Sequence, residues 1–469
     1  MKQLLFCLLL LAARPCAAES LRLEAEDATL VGVMVTNACA GFSGRGYVSG
    51  MEHRTSKIVF SFDAAAGLYD LAIRYSSPFG NKGFVLNLNG AKLSGQFQAT
   101  TNVFATHRAG LVELPGGRNR LAIEYGWGYY DVDYLELTPM AKSEAPAKPS
   151  AALSDPAAAP AARALMERLI SHYGTGTFSG VQSAVDFDYV RETTGQTPAI
   201  FGMDLMDYSP SRIEHGAKPR GLPEKAIDKA HQGCMVTVMW HWNAPEGLGR
   251  VSTNETGKAT EARWWTGFYT SATTFSLKQA LADPSSTNYS FIIRDIDAIA
   301  VQLRKFADAG VPVLWRPLHE ADGGHFWWGG DGPESFVQLW RLLHQRLVEH
   351  HGLHNLVWVF TGPVDPKWYP GDDCVDVVGL DAYPADRHDP LVSDWMALSG
   401  RFGGKKLIAL TEFGGVPDVE RMQRLGVWWS YFVSWTGARG PRRAAEEDLE
   451  RIYRSPGVLN GPPPQGAPQ

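Results

Sequence analysis

The chain has 469 residues, 45% hydrophobic and 20% charged, an ordinary globular composition with room for two or three domains. A formal net charge of −6 offers nothing to nucleic acid or to an anionic membrane, so neither is expected as a partner. The 15 Trp, 16 Tyr and 21 Phe exceed what cores need and point to exposed stacking surfaces.

At the start, Lys2 precedes an apolar run over 4–13 that is too short to span a bilayer, and Cys16-Ala17-Ala18 supplies small residues for cleavage. Residues 1–18 are expected to be a signal peptide. The mature chain then carries no membrane span and is secreted, to the periplasm or outside the cell. Cys39, Cys234 and Cys374 are too widely spread for a disulfide framework, and the two later ones lie in strand-like runs that favour buried free thiols.

From residue 19 to 139, short alternating runs at 58–62, 69–75, 84–88, 110–114, 120–125 and 133–137 are separated by Gly, Asn and Pro. No helical period interrupts them, so a β-sandwich of jelly-roll type is expected. Leu23-Glu-Ala-Glu26, Gly44-Arg-Gly-Tyr-Val48 and Gly126-Trp-Gly-Tyr-Tyr-Asp-Val-Asp-Tyr134 give this segment a resemblance to carbohydrate-binding module family 35. Two sites follow from that likeness. Glu24 and Glu26, read on one face of a strand, would join Asp133 in holding a structural calcium. Trp127, flanked by glycines, is the expected sugar-stacking platform, with Tyr47 and Asp131 beside it in the family pattern; Asp131 stands where relatives often place an amide.

Residues 140–160 are Ala/Pro-rich with no apolar periodicity and read as an extended linker. Beyond them, over 161–469, eight apolar runs alternate with helix-like stretches: 177–182, 199–204, 235–242, 311–320, 356–361, 375–381, 407–412 and 428–435. Several runs end in polar or aromatic residues, which is where a (β/α)8 TIM barrel keeps its active site. An open doubly wound sheet lacks support, because no glycine-rich phosphate loop follows the first run.

The fourth run turns from apolar residues to Arg316, His319 and Glu320, and a glycine-flexed loop with His325, Phe326, Trp327 and Trp328 follows. The seventh ends in Glu412 followed by Phe-Gly-Gly. Two acids on two barrel strands suit glycoside hydrolysis, and aromatic faces beside them suit a sugar ring. The plain alternative for the first motif is a structural Arg316–Glu320 ion pair. Together Arg316-Pro-Leu-His-Glu320 and Thr411-Glu-Phe-Gly414 closely resemble glycoside hydrolase family 26.

That resemblance implies Glu320 as general acid/base and Glu412 as nucleophile. The expected substrate-binding residues are His241, Arg316, His319, His325, Trp328, Tyr383 and Trp435, with Tyr383 donating to Glu412 and Trp435 as the floor under the cleaved sugar. His325 stands where several relatives carry a tryptophan. The implied activity is a retaining endo-β-1,4-mannanase acting on mannan, glucomannan or galactomannan, as a monomer and with no cofactor for catalysis. A β-1,3-1,4-glucanase or xylanase of the same family, or a polysaccharide-binding protein without catalysis, are the alternatives.

Overall fold

A computed structural model describes residues 20–462, apart from 102, 142–143 and 250–263. The expected signal peptide at 1–18 lies outside the described residues. Two compact units divide the chain between Ser143 and Glu144.

The first unit is the expected pair of antiparallel sheets, one of six strands and one of five. In Gly67–Ser76 the alternate residues Tyr69, Leu71, Ile73 and Tyr75 are buried. They meet Phe60, Phe62, Phe84, Leu86, Leu121 and Ile123 from the other sheet in one core, as the period of two requires. The first strand stops at Glu24, and Ala25–Asp27 forms a 3-10 turn. Glu24 and Glu26 therefore do not share a strand face. They are brought together by the turn instead.

The second unit is a closed barrel of eight parallel strands. We label them β1 (Gly180–Val181), β2 (Ile200–Asp204), β3 (Met235–Trp240), β4 (Val313–Pro317), β5 (Leu356–Thr361), β6 (Val377–Ala382), β7 (Leu407–Phe413) and β8 (Phe432–Ser434). Every residue of β3 and β5 is buried, because barrel interior and helical layer cover both faces and leave no polar side to alternate with. The helix Thr287–Asp308 shows how that layer is made. Ser286 caps it by accepting from the Tyr289 N–H at 3.1 Å, and Ile292, Ile296, Ile299, Leu303 and Phe306 form its buried stripe.

The stretch expected to be a linker is largely part of this unit. The Ser154 N–H donates to Asp376, Asp155 pairs with His354 at 2.7 Å, and Leu153 and Ala158 are buried. Its prolines hold it extended, but these small apolar and capping groups find partners on the barrel.

Candidate active site

Three carboxylic acids meet where β4, β6 and β7 end. β4 stops at Pro317, and Leu318 and Glu320 then take left-handed conformations, with φ of 51° and 53°. Neither residue adopts that geometry freely, so the turn carrying Glu320 is strained and held by its surroundings. The Glu320 N–H donates to the Thr361 carbonyl at the end of β5. Between β6 and β7 a bulge sets Leu380 opposite Leu410 but Asp381 opposite Glu412. This extra residue turns the Glu412 carboxylate toward Asp381.

Oxygens of Glu320, Asp381 and Glu412 all lie within 4.8 Å of one another. Arg316, 1% exposed, forks between two of them: one guanidinium nitrogen donates to Asp381 at 2.6 Å and the other to Glu412 at 2.7 Å. The expectation that Arg316 contacts substrate is corrected by this burial, and the Arg316–Glu320 pair is replaced by Arg316 with Asp381 and Glu412. Tyr383 donates to the second oxygen of Glu412, and a side chain at 414 would collide with the Tyr383 ring, so only glycine leaves it that path. Thr411 donates to Asp381 at 2.7 Å.

Donors decide where the proton sits. Burial and then the Asp381 charge push both Glu320 and Glu412 up to about 7, and burial also raises Asp381. Three crowded carboxyls beside one guanidinium favour retaining a proton. Glu412 accepts from Arg316 and Tyr383, and Asp381 from Arg316 and Thr411. Glu320 faces the His325 imidazole at 3.0 Å and also Asp381, an acceptor to which only a protonated Glu320 can donate. With the fewest donors, Glu320 is the acid best placed to hold the proton, which suits it as proton donor.

His319 and His241 are brought together, their Nε2 atoms 3.2 Å apart. His241 also faces Asp204 at 2.7 Å. Phe268, Phe326 and Trp435 surround the His241 ring at 5.1, 5.5 and 6.2 Å. Trp435 is half-buried, as a sugar floor should be. Trp328 is not available to sugar: it is fully buried, stacks on Phe326 and donates to the His319 carbonyl at 2.9 Å. Its place is under the site. Sequence reasoning passed over Asp204, Asp381, Phe268 and Tyr269, which stacks on Phe326. Asp204 and Asp381 each close an apolar run, the same signal that exposed Glu412.

In the first unit Trp127 is 63% exposed and shares a cleft with Arg54 and Tyr125. Tyr47 is not beside it as a stacking surface. It is buried edge-on against Phe104, and Asp131, raised by burial, faces Ser49. The acids proposed for calcium cluster behind Gly44. The Ser43 N–H donates to Asp133 at 2.9 Å and the Arg45 N–H to Glu26 at 2.7 Å, while a side chain on Gly44 would strike Glu26. Buried Glu24 Oε2 and Glu26 Oε2 have no partner, which fits a hard cation. Asp133 also pairs with Arg74 at 3.1 Å.

Residues 154–463 match the family model of glycosyl hydrolase family 26, and residues 21–140 that of carbohydrate binding module family 35. A mannan endo-1,4-β-mannosidase of Thermothelomyces thermophilus is 42% identical over 439 residues, 93% of this chain and 89% of the relative. Mannan endo-1,4-β-mannosidase A of Piromyces sp. is 33% identical over 88% of this chain and 67% of its own. The crystal structure of a GH26-CBM35 β-(1,4)-mannanase from Podospora anserina is 42% identical and has a TM-score of 0.67, covering 94% of this chain and 97% of that one. With a barrel that sets two glutamates at the ends of its fourth and seventh strands, the chain belongs to glycosyl hydrolase family 26 and is a glycoside hydrolase.

Proposed function

We propose that the chain is a secreted endo-1,4-β-mannanase that cleaves internal β-1,4-mannosidic bonds with retention of configuration. The carrying observation is the close approach of the two glutamates, one oxygen of each lying within 4.8 Å of the other. Retaining enzymes space their carboxyl groups by about 5–5.5 Å, whereas inverting ones need about 6.5–9.5 Å to admit a water. Glu320 gives its proton to the departing glycosidic oxygen as Glu412 attacks the anomeric carbon; the C–O bond breaks and a glycosyl ester forms. Water then attacks that carbon, Glu320 takes its proton, and Glu412 is released. Relatives of similar length named as mannan endo-1,4-β-mannosidases support mannan as the substrate.

In the module, Trp127 offers one ring face to polysaccharide, and Glu24, Glu26 and Asp133 hold calcium, which stabilises the fold rather than joining the chemistry. Following a manno-oligosaccharide digest by proton NMR tests the reading: the first product should be the β anomer. An α anomer formed first contradicts retention, and hydrolysis of lichenan or xylan in place of mannan moves the chain to the other activities of its family.

A further inference from the structure

The turn that presents Glu320 is held by more than its own strand. His319 stands between the two left-handed residues Leu318 and Glu320. Its side chain is thus a handle on a strained segment. His241 grips that handle, the two rings edge-on with centroids 4.5 Å apart and Nε2 atoms 3.2 Å apart. Asp204, the last residue of β2, grips His241 in turn. Its Oδ2 accepts from His241 Nδ1 at 2.7 Å, and its Oδ1 accepts from the backbone N–H groups of His241 at 3.1 Å and Met206 at 2.8 Å.

An ionised carboxylate only accepts, so His241 Nδ1 carries a hydrogen. One hydrogen remains between the two Nε2 atoms, and it belongs to His319. Placing it on His241, whose Nδ1 already carries one, would make a buried imidazolium. It would also put the His319 hydrogen on Nδ1, a buried atom with no partner. Asp204 therefore dictates the tautomers of both rings in series. Glu412, by contrast, is held by Arg316 and Tyr383, which stand outside the Asp204–His241–His319 series.

We propose that Asp204 is a positioning residue for proton donation: through His241 and His319 it holds the turn that aims the Glu320 carboxyl at the departing oxygen. It touches neither substrate nor the reacting atoms. The inference rests on Glu320 being the acid/base, as read above. Losing Asp204 then slows protonation of the leaving group and spares attack by Glu412.

The test is Asp204→Asn in the full chain, which keeps the size and both backbone contacts but turns an N–H toward His241 Nδ1. On mannan, kcat should fall about 10²-fold with KM little changed. The glycosylation burst from dinitrophenyl β-mannobioside, whose leaving group needs no proton, should change by less than about threefold. Imidazole nitrogen NMR should show the His319 hydrogen moved from Nε2 to Nδ1. Should the variant fold poorly, Asp204→Ser, which removes the same acceptor from His241 Nδ1, must show the same leaving-group split. Glu320→Ala is measured alongside. If Glu320→Ala is equally slow on both substrates, the acid/base reading fails and the inference with it. If Glu320→Ala shows the split while Asp204→Asn loses both activities equally, or neither, the inference alone is overturned.

Discussion

Each unit gathers three carboxylates and one arginine, and the two clusters solve the same electrostatic problem differently. In the barrel, Arg316 is fully buried and bridges Asp381 and Glu412, while the third acid, Glu320, gets no contact from it and faces the His325 imidazole. In the module, Arg74 is partly exposed and pairs with Asp133 alone. Two buried oxygens, on Glu24 and Glu26, are left without partners. A cluster balanced internally makes one acid a proton carrier, whereas one left with spare buried oxygens calls for an outside cation.

Removing the two arginines should separate the clusters most sharply. Arg316→Met leaves two buried acids facing each other without a cation, which costs about 3–5 kcal/mol. Arg74→Met leaves the buried Asp133 carboxylate with the Ser43 N–H and any bound calcium, and should cost less, about 1–3 kcal/mol. Urea denaturation of both full-length variants checks this. Equal losses would mean that Arg316 is not the keystone of the barrel cluster.

Chelation comes next. If calcium bridges the spare oxygens of Glu24 and Glu26, excess chelator removes about 2.7 kcal/mol at a metal concentration 100 times Kd. Calorimetry of the full chain should then show the module transition falling while the barrel transition stays. Coincident scans with and without chelator would remove calcium from that cluster and leave its charge to arginines such as Arg74 and Arg22.

Trp127→Ala should weaken retention on insoluble mannan about tenfold, the loss of roughly 1.4 kcal/mol of stacking. Turnover of short soluble oligosaccharides should hardly change. Unaltered retention would send the search for the module's binding face elsewhere.

The last effect is a pH-dependent one. The folded-state pKa of Glu320, about 7, is raised above its unfolded value, so the folded state binds the extra proton between about pH 4.5 and 7. Stability is lost as pH climbs through that window. Glu320→Gln should match the wild-type Tm near pH 4 and exceed it by about 2–4 °C near pH 8. A difference independent of pH would show that burial does not raise this acid.

What was legible in the sequence follows from which forces leave a pattern there. Glu320 and Glu412 stood out because an acid closing an apolar strand has to open onto a site. Asp204 and Asp381 carry the same mark, but no motif pointed to them, and their partners lie on other strands. Arg316 and Trp328 were read as substrate contacts because sequence records polarity and aromaticity, not depth. Arg316 is tied down by two acids and Trp328 by the His319 carbonyl. Tyr47 erred in the same way, its ring packed against Phe104. The alternation of Tyr69, Leu71, Ile73 and Tyr75 announced the sandwich directly. The stretch 144–159 did not announce its docking, because a few small side chains and single backbone contacts have no period.

Azide rescue of the two glutamate variants tests the division of labour between Glu320 and Glu412 most directly. With an aryl β-mannoside bearing a good leaving group, Glu320→Ala should accumulate the glycosyl-enzyme, and azide entering the vacated space should release a β-mannosyl azide. Glu412→Ala should be slow until azide attacks the substrate itself, giving the α-mannosyl azide. The reverse pairing of variant and anomer would exchange the two roles, and the absence of any azide product from either variant would contradict the double displacement altogether.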